Sequence, residues 1–525
     1  MRIALLSWES LHSIAVGGVA SHVSELAAAL VRSGHNVHVF TRREHGQSGH
    51  DWIDGVHYHR CLYQGHHDFV DDVNNMCRSF VDRVFEVEDF IGNFDVIHAH
   101  DWLCANAMIW IKQGRGHKCV LTIHATEYAR CGNSFSSGRA SRIRDQERAG
   151  VYWADRVIAV SQATKNELMW MYEVPEWKVS VVYNGVSPSR FEFFTDPGED
   201  KRRLDIAPLD PTVLFCGRMA WQKGPDLLME AVPAILSCHG NAKFVFAGDG
   251  DMRAGLQNRA RQLKVDHAVR FTGYRNSQEI VRLFKMADVI CVPSRNEPFG
   301  IVVLEAWSAS KPVVVTQSGG PSEYVRHEVD GLKIEPNPSS VAWGVCRLFS
   351  DFEKARWMGQ NGRKVAEERF RWDMIVRQII AVYRQVCPAL QGEQSICESP
   401  SGRAEIAAAA LENAGQDQAT NLSARLRLRA KMAAGCNGRT LAFYRQGLMQ
   451  MGLEPKSYNG SLLLDGDIET LLAALKHCHR QIHSSGVEKV ACTLELETSL
   501  LSADKRYGQE NEPSTNPKSG SGDKI

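Results

Sequence analysis

What this chain of 525 residues lacks narrows it first. It has no net charge, because 61 Lys and Arg balance 61 Asp and Glu, so no overall field draws it to nucleic acid or to an anionic membrane. It has no apolar run of about 18 residues, which leaves no segment able to cross a bilayer as a helix. The start, Met1 to Trp8, has one basic residue and an apolar stretch too short for the core of a secretory signal. The 14 cysteines form no C-x-x-C pairs, so neither a zinc frame nor a disulfide framework is expected. Cys216 and Cys291 lie in predicted strands, and the whole set reads as reduced, structural thiols of a soluble, cytoplasmic protein. No cluster with metal-ligand spacing appears, so no metal is expected, and no nucleic-acid partner either.

What the chain does have is a repeated alternation. Short apolar runs, among them Arg2 to Ser7, Asn36 to Thr41, Asp95 to His98, Cys119 to His124, Val157 to Ser161 and Val179 to Tyr183, are separated by amphipathic stretches of helical length. Continuous apolar strands between helices predict a parallel sheet covered on both faces. The pattern breaks at the polar stretch Thr195 to Pro211 and restarts with Thr212 to Gly217, Lys243 to Ala247, Val269 to Thr272, Val289 to Pro293 and Pro312 to Thr316. The expected fold class is therefore α/β, with two doubly wound Rossmann-like domains, residues 1–190 and 205–388, facing a cleft. A ligand belongs in that cleft, at the carboxyl ends of the strands.

Residues 389–420 read as a linker rich in Gln, Glu, Ser, Gly and Ala. Residues 421–505 predict a small α+β unit: strand Ala424 to Ala430, helix Arg439 to Met451, a hairpin across Asn459-Gly460, helix Ile468 to His483, and strand Lys489 to Leu496. That order is ferredoxin-like. Residues 506–525 carry Ser, Gly, Pro and charge, the composition of a disordered tail.

Three loops carry candidate chemistry. Gly17-Gly18 lies between the first strand and a helix beginning near Ala20, where backbone amides and a helix terminus suit an anion. Arg218 and Lys223 sit in the loop after strand Val213 to Cys216, two cations placed to neutralise a diphosphate. Glu297 precedes Phe299-Gly300-Ile301, whose amides open a helix; Glu305 follows in the otherwise apolar run Ile301 to Ser308. A carboxylate in such a run costs several kcal/mol unless it meets a ligand or a cation.

In order and spacing, Gly17-Gly18, Arg218 with Lys223, and Glu297 with Glu305 resemble the retaining glycosyltransferases of family 4, which have the GT-B fold. The resemblance covers residues 1 to about 388 and implies roles: Arg218 and Lys223 on the donor diphosphate, Glu305 on the ribose, Glu297 on the sugar hydroxyls. It also implies that Gly18 and the amides around Gly300 complete the phosphate and sugar contacts, and that Gly273-Tyr274 holds the nucleobase. His98-Ala99-His100-Asp101-Trp102 resembles the His-x-His-Asp-Trp motif of bacterial glycogen and starch synthases. Thr122 to Tyr128, with His124 and Glu127, resembles the loop in which glucan synthases hold a histidine beside the reacting sugar.

The resemblance thus implies transfer of a sugar, expected to be glucose, from a nucleotide-sugar to an α-glucan acceptor. His124, Glu297, Arg218 and Lys223 are the catalytic set, and His100, Asp101, Trp102 and Glu127 line the acceptor side. His98 reads as structural. The co-substrate is ADP-glucose or UDP-glucose and no other cofactor is implied. Ala15 stands where the ADP-glucose synthases of family 5 have lysine, so the nucleotide stays open between the two. Two other readings stay open: a family 4 transferase with a sucrose-type, lipid-linked or small-molecule acceptor, and a non-catalytic nucleotide-sugar binding protein.

Two further segments are set aside. Gly248-Asp249-Gly250 follows a strand, but Arg253 occupies the third glycine position of a dinucleotide fingerprint. The basic stretch Arg139 to Arg148, before Val151-Tyr152-Trp153, is interrupted by Asp145 and Glu147 and reads as a solvated helix face. The C-terminal unit resembles small thiamine-binding ferredoxin-like proteins, which implies oligomerisation or small-ligand sensing.

Overall fold

The computed structural model describes residues 1–387 and, beyond them, four strands between residues 424 and 498. The chain divides into two compact units, Met1–Ser395 and Ile396–Ile525.

The first unit holds two sheets. One contains β1 (Arg2–Leu6), β2 (Asn36–Arg42), β3 (His50–Ile53), β4 (Val56–Cys61), β5 (Val96–His100), β6 (Cys119–Ile123), β7 (Arg156–Ala159) and β8 (Val179–Val181), in the order β3-β4-β2-β1-β5-β6-β7-β8. All neighbours are parallel except β3 and β4. Ile3, Ala4, Leu5 and Leu6 are fully buried, as expected for a strand covered on both faces. β3 and β4 were not expected. They form a hairpin whose two central residues, Asp54 (φ 52°) and Gly55 (φ 80°), take the left-handed conformations of a tight two-residue turn.

The second sheet contains β9 (Thr212–Cys216), β10 (Lys243–Ala247), β11 (Val269–Gly273), β12 (Val289–Val292), β13 (Val313–Thr316) and β14 (Leu332–Ile334), in the order β11-β10-β9-β12-β13-β14, all parallel. Both sheets are Rossmann-like, and both have a switch point. The chain leaves β1 toward β2 and returns on the other side at β5; likewise it leaves β9 toward β10 and returns at β12. Loops after those four strands are where such sheets bind ligands.

One boundary differs from expectation. Helix Trp372–Val386 was placed in the second domain, yet it packs on the first sheet, burying Trp372, Ile375, Val376, Ile379 and Tyr383 against Ile3, Leu26, Val39 and Val96. Spacing at i, i+3, i+4 and i+7 announces an apolar stripe without saying which sheet it covers. The chain crosses back where Val186 N–H donates to Phe370 C=O at 2.8 Å. Each large side chain buried by this helix contributes roughly 1.5–3 kcal/mol, so its packing holds the two domains together.

Described by itself, the second unit contributes β15 (Ala424–Lys431), β16 (Lys456–Tyr458), β17 (Ser461–Asp465) and β18 (Ala491–Thr498), an antiparallel sheet in the order β16-β17-β15-β18. Tyr458 pairs with Ser461 across the expected hairpin. The expected helices 439–451 and 468–483, the linker 389–420 and the tail 506–525 lie outside the described residues.

Candidate active site

The loop after β9 makes one 3-10 turn, Trp221–Lys223, and delivers Lys223 to the loop after β12. There Lys223 Nζ donates to both carboxylate oxygens of Glu297, at 2.8 and 2.9 Å. Ser294 Oγ donates to Glu297 Oε2 at 2.9 Å, and Glu297 is only 6% exposed. An ammonium has three donors, so after two contacts with Glu297 Lys223 keeps one for a ligand. Arg295, the other cation of this loop, is engaged elsewhere: it bonds both oxygens of Asp226, at 2.9 and 2.5 Å, and stacks on Trp221. Arg218 is exposed and makes no hydrogen bond or ion pair among the described residues. Desolvation lowers its pKa, and so does the charge of Arg130 across the cleft.

Helix Ile301–Ser308 begins at Gly300, whose φ of 89° lets the chain turn sharply into the helix with no side chain capping its start. The Phe299 side chain, in contrast, is core, 5.3 Å from the Tyr324 ring and 5.8 Å from that of Tyr183. Phe299 therefore has only its backbone to offer a ligand. Glu305 finds no hydrogen-bond donor among the described residues. Burial pushes its carboxyl up to about 7, with Arg190 opposing and Glu25 adding to the rise. As a neutral acid it both donates and accepts, which suits a vicinal diol. Gly273 (φ 70°) accepts from Gly248 N–H at 2.9 Å, and Tyr274 stands 65% exposed beside it.

The set-aside glycines also find their reason here. A Cβ on Gly250 would lie 2.6 Å from Met219 C=O, so these glycines let the β10 loop lie against the β9 loop. Arg142, in the basic helix Arg139–Trp153, pairs with Asp68 and Asp71, and Glu147 is buried in that helix.

On the facing domain, the glycine loop differs from expectation. The amides of Val16 and Gly17 donate to Glu9 Oε2, at 2.6 and 2.7 Å, so the chain's own carboxylate occupies the place foreseen for a phosphate. Gly18 opens helix Gly18–Arg32, and a Cβ there would lie 3.3 Å from Ile301 Cδ1. The two helix starts thus meet across the cleft. Asn296 Nδ2 also reaches Asn133 Oδ1 at 2.7 Å, joining the walls.

Behind this loop, β5 and β6 end in the His-Asp and His-Ala-Thr segments. Asp101 (φ 58°) is buried and accepts from the His124 main-chain N–H at 2.7 Å and from Arg130 Nη2 at 3.1 Å. His100 Nδ1 and His124 Nε2 are 3.1 Å apart. Burial holds His124 down to about 3, so its imidazole is neutral at physiological pH. His98 is structural, as expected: it bridges Tyr383 Oη and Thr122 Oγ1, each at 2.7 Å. Trp102 does not face the acceptor; it is 3% exposed and packs in the core against Phe69. Glu127 stays near the cleft, 3.9 Å from Arg130, with its carboxyl raised by burial.

Sequence reasoning missed Glu9 and His22. His22, one helical turn after Gly18, stands with its ring 4.5 Å from that of His124 and 5.3 Å from that of His100. The i, i+4 spacing from Gly18 was the available signal. Among the described residues, His22, His100 and His124 are the group whose ligand atoms converge closely enough to hold a metal.

Comparison with known proteins now bears on this geometry. The profile "Glycosyltransferase Family 4" matches residues 16–190 and "Glycosyl transferases group 1" matches residues 197–365. An uncharacterised glycosyltransferase of Methanocaldococcus jannaschii is 37% identical over 388 residues, which are 73% of this chain and 98% of that protein. The chain belongs to the group 1 glycosyltransferases. Glycogen synthase of Mycobacterium tuberculosis is 28% identical over 399 residues, covering 73% of this chain and 94% of that protein. Sucrose-phosphate synthase of Thermosynechococcus elongatus superposes with a TM-score of 0.65 at 23% identity, over 74% of this chain and 99% of that one. An Anabaena protein solved with UDP-glucose superposes with a TM-score of 0.60 at 20% identity, over 73% of this chain and 100% of that one. The fold of this glycosyltransferase is accordingly GT-B, and its activity is hexosyl transfer. No helix among its described residues is long and apolar enough to cross a membrane. Its Cys61, Cys77, Cys104, Cys119 and Cys291 are buried free thiols.

Proposed function

We propose that this enzyme transfers glucose from ADP-glucose or UDP-glucose to an α-glucan, with retention of anomeric configuration, in the cytoplasm. The observation that carries the reading is the Lys223–Glu297 pair on the same loops as an unpaired Arg218, which feels Arg130 and Glu127 of the facing domain. Arg218 and the remaining Lys223 donor meet the diphosphate as it departs. Fixed charge placed where negative charge develops is typically the largest catalytic contribution. Glu297, held by Lys223 and Ser294, orients the sugar hydroxyls, and Glu305 takes the ribose. His124 is neutral and acts as a hydrogen-bonding partner of the sugar. Proton removal from the acceptor falls to the leaving phosphate, since the carboxylate beside His124, that of Asp101, is held by the His124 amide and by Arg130.

The His100-Asp101 and His124 segments support a glucan acceptor, as does the glycogen synthase among the relatives. Asp101 fixes the His124 backbone, and His100 fixes its ring. For the C-terminal unit, the order β16-β17-β15-β18 supports a ferredoxin-like fold with a role in oligomerisation or small-ligand sensing.

The test uses the full chain with ADP-glucose and UDP-glucose, each with and without maltooligosaccharide, reading nucleoside diphosphate release and product size. Diphosphate release that depends on the oligosaccharide, with a lengthened α-linked product, is expected with one donor. Release without elongation would move the acceptor to a small or lipid-linked sugar. Binding of donor without any release would leave a nucleotide-sugar binding protein.

A further inference from the structure

The three cleft imidazoles come from three separate elements: His22 from the helix after the glycine loop, His100 from the end of β5, and His124 from just beyond β6. One ring nitrogen of each lies within 4.8 Å of the others. The His100 and His124 nitrogens, 3.1 Å apart, are already near the roughly 3.3 Å that separates two ligands of one tetrahedral ion with Zn–N bonds of about 2.0–2.1 Å. His22 and His100 are 5% and 1% exposed, yet both ring nitrogens of His22 and Nε2 of His100 have no hydrogen-bond partner. Beside His22 stands the buried Asn184. Orphaned polar atoms are rare in a protein interior, and unpartnered nitrogens on two neighbouring buried imidazoles suit a group that accepts several lone pairs at once. A neutral imidazole offers one lone pair without giving up a proton.

We infer that His22, His100 and His124 form a binding site for one divalent transition ion of the zinc class, and that an ion held there takes His124 from the sugar and arrests transfer. Imidazole ligands select zinc, cobalt, nickel or copper over magnesium or calcium, so the last two should not compete. Binding moves the proton shared by His100 and His124 to an outer ring nitrogen, so no proton is lost. Inhibition, unlike binding, rests on the assignment of His124 to the donor sugar.

A second histidine group must be kept apart. His38, His50, His57 and His59 line a cavity of about 400 Å³ at the outer edge of the first sheet, with His38 and His59 nitrogens 2.9 Å apart. Their ligand atoms do not converge three at a time as those of the cleft group do.

The experiment strips the full-length protein with EDTA and titrates it with Zn²⁺ by calorimetry and with Co²⁺ by visible absorption. One ion per chain is expected, with the d–d bands of a four-coordinate cobalt. His22→Gln should weaken binding at least tenfold, and His57→Gln should leave it unchanged. Zn²⁺ should abolish diphosphate release from the nucleotide-sugar over the same concentration range in which it binds, and EDTA should restore it. Absence of stoichiometric binding to the unsubstituted protein overturns the site, as does binding that is lost in His57→Gln and kept in His22→Gln. Binding without inhibition overturns the arrest. If the stripped protein is inactive with every donor, the functional reading fails, while calorimetry still decides the site.

Discussion

Lys223 and Glu297, 74 residues apart, meet as a forked ion pair in which one ammonium donates to both carboxylate oxygens. Lys223 is partly open to the cleft and Glu297 is buried, so the pair places a fixed charge at the carboxyl ends of β9 and β12. Removing Lys223 leaves Glu297 with Ser294 alone. Lys223→Met should lower stability by about 1–3 kcal/mol, the usual cost of an under-satisfied buried polar group, and cut turnover 100-fold or more. Glu297→Gln should cut turnover comparably with a smaller loss of stability. In the double variant, stability should return toward that of Glu297→Gln while activity does not. Chemical denaturation and steady-state rates separate the two effects, and fully additive stability losses would show that the pair is not coupled.

Glu305 makes stability depend on pH. Its carboxyl titrates near 7 in the folded protein against an ordinary 4.5, because burial disfavours the charge. Between those values the folded state holds a proton that the unfolded chain has released, so this group favours folding at low pH and loses that contribution as pH rises through about 7. The full shift corresponds to at most about 3 kcal/mol. Glu305→Gln should therefore match the parent at pH 5 and exceed it in stability at pH 8. Glu147 is raised to about 7 as well, but its share is common to both proteins and cancels in the difference.

His98 tests structure against catalysis. It joins Thr122 on β6 to Tyr383 on the helix that returns from the second domain. His98→Leu strands both hydroxyls in the core, at a cost of roughly 2–4 kcal/mol for two unsatisfied groups. The rate per folded molecule at low temperature should stay within twofold of the parent. A large rate loss in fully folded protein would place His98 in the reaction.

Much of this was legible in the sequence because parallel strands buried on both faces are continuous apolar runs, and because the motif loops follow directly after them. β3 and β4 escaped since their alternation of His, Asp and Trp breaks the apolar run; Asp54-Gly55 was the signal for their hairpin. β14, Leu332–Ile334, is three residues long, too short for any periodicity. Trp102 was placed correctly in the chain and wrongly in space, because the sharp turn at Asp101 aims the side chain inward. His22 and Glu9 act through contacts across the fold, and neither stands in a motif that reading along the chain isolates.

Glu9 supplies the last prediction, because its carboxylate stands where a ligand anion was expected. It is 5% exposed and accepts from two successive amides of the glycine loop, while burial raises its pKa against those bonds. Two roles differ in outcome. If Glu9 braces the loop so that Gly18 meets the helix at Ile301, then Glu9→Gln, which keeps an oxygen for both amides, should retain turnover within about threefold. Glu9→Ala should then raise the donor KM tenfold or more, since unheld backbone amides let the loop move. That is the expected result, because Gly18 already approaches Ile301 with Glu9 in place. If instead the donor phosphate must displace Glu9, both variants should lower the donor KM. Donor KM for the three proteins at one pH decides between a brace and a competitor.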